Sequence, residues 1–387
     1  MSKLRILFTG GGTGGHIYPI VAVAQQLNLW CAKSGLVPDL RYFGAPGDYR
    51  AALKSAGIKV SRILSSKWRR YFSLLNFLDI LKFGLSVFQA LWKIYWFMPE
   101  VAFSKGGPGS LPVVLVCAFY RIPIIIHESD SVPGMANKLG AKFAKAVELA
   151  FSSAAKHFPK VKNLNVVGNP SRSEILVDIS PADLAAGASA QEAAKSAFGL
   201  DSRRALILVF GGSQGSNRMN DFIIGNLEIL LSKFQILHIV GKEKFADYKN
   251  QFEFTTKNFS PVLLGGYKYF DFLEDRIGQA LKAADVVMAR GGSGAIFDVA
   301  AAGKPAVIIP FPEASADHQK ENAYEYAATG AAVVIEQENL FLSIFLNEVE
   351  KILGTSDIAS KMSAAALNFA KPDSAEKISV DILGLIH

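Results

Sequence analysis

Three glycine-rich runs carry the clearest chemistry in this sequence. Gly10-Gly11-Gly12-Thr13-Gly14-Gly15-His16 follows a short apolar run, Leu4–Phe8. Gly211-Gly212-Ser213-Gln214-Gly215-Ser216 follows Ala205–Phe210, and Arg290-Gly291-Gly292-Ser293-Gly294-Ala295 follows Asp285–Met288. Residues without a Cβ let backbone N–H groups close on an anion, and a helix starting behind the loop adds the positive end of its dipole. One such loop is unremarkable. Three of them, each at a strand's C-terminal end, point to a nucleotide-diphosphate ligand. Ser213 can add a hydroxyl to its cradle. Asp298, in the helix behind the third loop, can accept hydrogen bonds from ribose hydroxyls or simply complement the helix dipole.

Titratable residues stand at the same places. His16 closes the first loop and is either a general base or a cap for backbone groups. His127-Glu128-Ser129-Asp130 follows the apolar strand Ile122–Ile126, and Asp317-His318-Gln319 follows Ile308-Ile309-Pro310-Phe311. Polar residues at such strand ends belong at a ligand crevice, which makes Glu128 a second candidate base. There is no His-Glu-x-x-His, no cysteine pair and no Asp-x-Asp, so neither a metal site nor a cofactor is expected. Gly10-x-Gly12-x-x-Gly15 formally satisfies the dinucleotide fingerprint. However, Asp39 opens the second strand, whereas the fingerprint needs an acid closing it, which disfavours a nicotinamide-dependent dehydrogenase.

The elements that must position these residues alternate along the whole chain. Strand-like runs at Leu40–Phe43, Lys59–Leu64, Ile122–Ile126, Val147–Phe151 and Leu164–Val167 are separated by helix-length segments, beginning with Ile17–Lys33. The pattern pauses at Gly168-Asn169-Pro170, and Pro181–Leu200 reads as an Ala-rich helix. A second series then runs through Gln235–Val240, Pro261–Leu264, Asp285–Met288, Ala306–Ile309 and Ala332–Ile335. Such alternation predicts an α/β chain of two doubly wound, Rossmann-like parallel-sheet domains. We expect them to span 1–168 and 169–369, with a C-terminal helix over 370–387 completing the first.

Of 41 basic residues, 21 lie in 1–168, against only 7 of 34 acidic ones, so the first half carries +14 and the remainder −7. A basic half faces something anionic: nucleic acid, an anionic membrane or a phosphorylated substrate. Lys67-Trp68-Arg69-Arg70-Tyr71 precedes Phe72–Phe97, a segment dense in Leu, Phe and Trp but interrupted every three or four residues by Asn76, Asp79, Lys82, Ser86, Gln89 and Lys93. It is too polar to span a bilayer, and reads either as a membrane-surface helix or as a buried crossover helix. Cys31 and Cys117 sit in apolar surroundings and suit a reducing compartment. The five apolar-rich residues near the start fall short of a secretion signal's core, so a cytoplasmic chain is expected.

Taken together and in order, Gly11–His16, His127-Glu128, Gly168-Asn169-Pro170 with Arg172, Gly211–Gly215, and Asp317-His318-Gln319 with Asn322-Ala323 resemble the MurG family from about residue 4 to residue 370. The resemblance implies a GT-B fold with an interdomain cleft. It also implies an inverting transfer of GlcNAc from UDP-GlcNAc to a polyprenyl-pyrophosphate-linked muramoyl-pentapeptide, lipid I. The enzyme would sit peripherally on the cytoplasmic face of the plasma membrane, bound to an anionic membrane surface and not to nucleic acid. By this resemblance the donor meets Thr13, Gly14, Gly15, Asp130, Arg172, Ser213, Glu274, Ser293, Gly294, Ala295, Asp298 and Gln319. The acceptor region includes Gly12, Gly106, Gly107 and Ser110, and the membrane patch Trp68, Arg69, Arg70, Phe72 and Trp92. His16 or Glu128 is expected to supply the base. The sequence departs from the family pattern at Asp298 (usually Glu), Asp130 (commonly Asn), Ala295 (commonly Thr) and Pro108 (often aromatic). A glycolipid glycosyltransferase or a UDP-GlcNAc epimerase of the same fold is the alternative.

Overall fold

A computed structural model describes residues 3–64, 75–172, 175–176, 187–212, 215–273, 276–312 and 317–386. It divides into two units, residues 1–172 with 371–387, and residues 173–370.

Unit 1 holds a seven-stranded parallel sheet. Its strands are β1 (Lys3–Thr9), β2 (Val37–Gly44), β3 (Lys59–Arg62), β4 (Val101–Ser104), β5 (Ile124–Glu128), β6 (Ala146–Leu149) and β7 (Leu164–Val166). They lie in the order β3-β2-β1-β4-β5-β6-β7. Alternate side chains leave opposite faces of a strand, and parallel sheets bury both faces. Accordingly Ile6, Phe8, Tyr42, Phe103 and Ile125 point to one core, shared with Ile17, Ile20, Val23 and Leu27 of helix α1 (Gly14–Lys33). Leu7, Phe43, Ala102, Ile124 and Ile126 point to the other, shared with helices α3 (Leu75–Phe97) and α4 (Leu111–Phe119); α2 (Arg50–Ser55) and α5 (Met135–Gly140) complete this part of the chain.

The C-terminal helix Ser374–Gly384 belongs to unit 1. Ile378 and Ile382 are fully buried with α1, and the Ser374 hydroxyl donates to the Val167 carbonyl at 2.7 Å. Burying two such side chains contributes about 3–6 kcal/mol.

Unit 2 holds a six-stranded parallel sheet, β8 (Leu206–Phe210), β9 (Gln235–Ile239), β10 (Tyr267–Phe270), β11 (Val286–Ala289), β12 (Ala306–Ile308) and β13 (Ala332–Val334), ordered β10-β9-β8-β11-β12-β13. One expectation needs correcting, and one strand was missed. Pro261–Leu264 is not a strand but the start of a short helix, with Pro261 at the first helical position and the Ser260 hydroxyl accepting from Leu263 N; this is a favoured helix start. The strand comes next, where alternating Tyr267 and Tyr269 pack on Phe252. The four-residue β4 escaped the sequence reading altogether, although it lies at the centre of its sheet.

Candidate active site

Each sheet reverses its strand order once, between β1 and β4 in unit 1 and between β8 and β11 in unit 2. Ligands of doubly wound sheets bind beyond the strand C-termini at this switch point. Register fixes which loops emerge there. Thr9 lies opposite Ser104, so the loops beginning at Gly10 and Lys105 leave side by side. Phe210 lies opposite Ala289, so the same holds for Gly211 and Arg290.

In unit 1 the two loops touch. A Cβ on Gly107, whose φ is +89°, would sit 2.8 Å from Gly11 N and 3.1 Å from His16 Nε2, so only glycine admits this approach. Thr13 caps α1, and its hydroxyl lies 2.7 Å from His16 Nδ1. Nε2 faces Gly107, and it is the basic nitrogen in the tautomer whose Nδ1–H donates to Thr13. Gly14 and Gly15 contribute first-turn N–H groups, which lack helical partners. The Arg172 guanidinium lies 4.9 Å from the centre of the Tyr18 ring, and Tyr18 meets Tyr49 edge-on. Ser110 is buried and donates its hydroxyl to the Gly107 carbonyl at 2.9 Å, bracing the loop.

Beneath these loops runs a buried polar network. Glu128, 3% exposed, accepts from Asp130 N at 3.0 Å, Gly134 N at 3.2 Å and Asn137 Nδ2 at 2.9 Å. Burial, then the Asp130 carboxylate, pushes its carboxyl up to about 7. His127 is fully buried. Its Nε2 donates to the Gly168 carbonyl at 2.8 Å, leaving Nδ1 to accept from Lys105 Nζ at 2.6 Å. Burial and the nearby Lys105 charge hold this imidazole well below its ordinary range, so it is neutral.

In unit 2 the mouth is built from helix N-termini and one fixed cation. Ser216 caps the helix Asn217–Gly225, accepting from Met219 N. Arg290, almost fully buried, donates from Nη2 to Ser216 Oγ at 2.6 Å and to Gln337 Oε1 at 2.8 Å. Its Nη1 donates to the carbonyls of Ile309 and Pro310 at 3.2 and 3.3 Å. Burial lowers this guanidinium to about 10, so it stays charged at neutral pH.

Gly292 caps the helix Ser293–Ala301, whose first-turn N–H groups belong to Ser293, Gly294 and Ala295. The Ser293 hydroxyl is buried and has no hydrogen-bond partner among the described residues. Asp298 is buried on the second turn of the same helix. A Cβ on Gly291 would run into the Gln319 carbonyl, and Asn322 Nδ2 donates to the Gly291 carbonyl at 3.2 Å. The helix His318–Ala328 is thereby docked against the third loop, and Gln319 Oε1 accepts from Phe311 N at 3.1 Å. Among the described residues, no group of three His, Cys, Asp or Glu side chains could hold a metal ion.

The structure thus brings Gly12–His16, Gly106, Gly107, Ser110, Glu128, Asp130 and Arg172 to the mouth of unit 1 or the layer beneath it. In unit 2, Ser293–Ala295, Asp298 and Gln319 gather round the β11 loop. Ser213, Glu274, Trp68, Arg69, Arg70 and Phe72 lie outside the described residues. Sequence reasoning read Lys105 and Arg290 only as loop residues and missed Asn137 and Gln337. A cation directly before a glycine pair at a strand end was the available signal for Lys105 and Arg290; nothing local marked Asn137 or Gln337.

The described part of the membrane-patch segment is the helix α3. The C-terminal part of its polar stripe faces the protein, while Lys82 is exposed: Ser86 is fully buried, Gln89 Oε1 accepts from Leu64 N at 3.0 Å, and Lys93 donates to Ser61 Oγ at 2.8 Å. Ile80, Leu81, Leu85, Phe88, Trp92 and Trp96 face outward, Phe88 being 67% and Trp96 69% exposed. Trp92, Tyr95 and Trp96 pack edge to face, Tyr95 continues to Tyr120, and exposed Phe119 lies against Tyr120. The buried-crossover alternative accounts only for the narrow seam of Ala90, Ile94 and Phe97. Among the described residues no helix is long and apolar enough to cross a membrane.

Comparison with known proteins completes the picture. A model of the glycosyltransferase family 28 N-terminal domain matches residues 6–148, and one of the glycosyltransferase family 28 C-terminal domain matches residues 206–378. The UDP-N-acetylglucosamine--N-acetylmuramyl-(pentapeptide) pyrophosphoryl-undecaprenol N-acetylglucosamine transferase of Shouchella clausii is 34% identical over 98% of this chain and 99% of its own length. The enzyme of the same name from Clostridium tetani is 33% identical over 90% of this chain and 89% of its own. Among solved structures, Acinetobacter baumannii MurG superposes with a TM-score of 0.70 at 22% identity, covering 98% of this chain and 99% of that one. A UDP-GlcNAc 2-epimerase from Neisseria meningitidis superposes with a TM-score of 0.66 at 11% identity, covering 98% and 99%. These likenesses in structure establish the GT-B fold and nothing finer.

Proposed function

Because the chain belongs to the MurG family of glycosyltransferases, we propose that it moves N-acetylglucosamine from UDP-GlcNAc to the muramoyl 4-hydroxyl of lipid I, making lipid II for peptidoglycan synthesis. The observation that carries this reading is that each unit has a switch-point mouth and that the two differ in chemistry. One offers helix N-termini suited to a pyrophosphate, and the other offers an imidazole suited to taking a proton.

The donor falls to unit 2. The first-turn N–H groups of Ser293, Gly294 and Ala295 meet its phosphates, the Ser293 hydroxyl gains the partner it lacks, and Asp298 accepts from ribose. Gln319 has its amide oxygen engaged by Phe311 N, so its NH2 is the group that donates to a sugar hydroxyl. Ser213 and Glu274 join as phosphate and uracil contacts.

The acceptor falls to unit 1, at Gly12, Gly106 and Gly107. His16 Nε2 takes the proton of the attacking hydroxyl as the oxygen bonds to the anomeric carbon from the side opposite UDP, inverting it. Glu128 has both oxygens engaged in holding its own loop, which leaves His16 as the better base. The bond to the UDP oxygen breaks, and its growing charge is met by Arg172, Thr13, Gly14, Gly15 and the loop amides. Such preorganised donors commonly supply the largest share of a rate enhancement.

The exposed apolar face of α3, with exposed cations Lys82 and Arg121 nearby, supports peripheral binding to an anionic membrane. Both substrates would meet on its cytoplasmic face. That surface also favours a lipid-linked acceptor over epimerisation, which needs no membrane.

The test supplies purified protein with labelled UDP-GlcNAc and lipid-linked muramoyl-pentapeptide in vesicles. Label should move to the lipid fraction. Label that stays on the nucleotide, or appears as an epimerised sugar, overturns the assignment.

A further inference from the structure

Lys105 sits 1% exposed at the end of β4, directly under the two loops of the unit 1 mouth. An ammonium has three hydrogens to donate, and this one uses all three. It donates to His127 Nδ1 at 2.6 Å, to Ser129 Oγ, and to Asn169 Oδ1 at 3.0 Å. His127 lies in β5, Ser129 directly follows it, and Asn169 lies in the segment after β7. The Lys105 backbone N–H bonds to Thr9 O at 2.9 Å, which ties it to the strand leading into the first glycine loop. The side chain therefore ties the end of β4 to the end of β5 and to the segment after β7.

We infer that Lys105 is a positioning residue for the acceptor, its ammonium holding the strand-end loops in the one arrangement that admits the lipid-linked substrate. The inference rests on the assignment of this mouth to the acceptor. It needs no contact between Lys105 and substrate.

The charge matters as well as the hydrogen bonds. Glu128 and Asp130 are the carboxylates that favour the ammonium, His127 is a neutral neighbour, and His16 stands above at Gly107. Burial opposes the charge and pulls Lys105 down to about 7. A neutral amine donates two hydrogens, not three, so raising the pH through this range removes one of the three ties. Acceptor kcat/KM should fall on the alkaline side while donor KM stays level.

The test compares the full-length wild type with Lys105→Met and Ser129→Ala in steady-state transfer from pH 6 to 9. Lys105→Met should lower acceptor kcat/KM by ~10–100-fold, the scale of a small misplacement at a reactive centre, with donor KM within about twofold and the alkaline fall abolished. Ser129→Ala keeps the charge but removes one acceptor, and should move the alkaline fall to lower pH by about one unit. Lys105→Met with unchanged acceptor kcat/KM and an unchanged fall overturns the inference. If Lys105→Met does not fold, an unmoved fall in Ser129→Ala overturns it instead. If the wild type transfers nothing to lipid, the functional assignment fails, and Lys105 is judged by histidine 15N shifts. His127 should show an unprotonated Nδ1 at pH 7 that responds to Ser129→Ala, and no response overturns the inference.

Discussion

The two switch-point mouths solve the same geometric problem with buried cations of unlike persistence. In unit 2 the buried cation is Arg290, locked by four hydrogen bonds to neutral oxygens and still charged at about 10. In unit 1 the buried cation is Lys105, and both it and its neighbour Glu128 lie near 7. Guanidinium stays charged across the whole physiological range, whereas a buried ammonium yields. The lesson is a division of labour. The mouth assigned to the nucleotide is fixed, as suits an ever-present dianionic ligand, and the mouth assigned to proton transfer is titratable.

Removing the titratable nitrogen should be the severest break. His16→Ala is expected to lower kcat by ~10²–10⁴-fold, the range for a positioned general base, while UDP-GlcNAc still binds with its wild-type Kd in calorimetry. Equal losses in kcat and donor affinity would dissolve the division between the mouths.

The matching break in unit 2 is Arg290→Ala. It frees Ser216, Gln337 and two carbonyls at once, and should weaken donor binding by about 100-fold, the loss of two charge-assisted bonds' worth of order. Arg290→Lys should not rescue it, because an ammonium cannot reproduce the fork. Unchanged donor Kd in Arg290→Ala would remove the fixed cation from the account.

Unit 2 also contains a titratable imidazole, on β9. His238 is fully buried, with Tyr267 on Nδ1 at 2.9 Å and Asn220 Oδ1 on Nε2 at 3.1 Å, and burial lowers it to about 3. Unfolded histidine titrates near 6.5, so the folded state refuses a proton that the unfolded state accepts. Its stability contribution is complete above about pH 6.5 and is lost as pH falls toward 3, by about 2 kcal/mol between pH 7 and 5. Thermal unfolding of the wild type should show this loss, and His238→Phe should show a shallower one. The smallest effect belongs to the apolar face of α3. Trp92→Ser with Trp96→Ser should cut partition onto anionic vesicles by ~10-fold and leave transfer to a detergent-dispersed acceptor unchanged.

Local signals were enough to read the alternation of strands and helices and the three glycine loops, because those depend on residues adjacent in the chain. Pro261–Leu264 went wrong because an apolar run of four fits either element, and the Ser260 cap decided it. The direction of the α3 stripe was illegible for a different reason. Periodicity reveals that a helix has two faces, but only Leu64, Ser61 and Arg62, far off in sequence, settle that Gln89 and Lys93 of the polar one turn inward. Lys105 shows the same limit. Its partners lie 22, 24 and 64 residues away, and only folding places a lone lysine among three acceptors.

The contrast between a fixed and a titratable mouth is tested most directly by following two constants in one pH series. The Kd for UDP-GlcNAc should change less than about twofold between pH 6.5 and 8.5, while acceptor kcat/KM changes by ~10-fold over the same range, as expected for groups titrating near 7. A donor Kd that moves as steeply as acceptor kcat/KM would contradict the account.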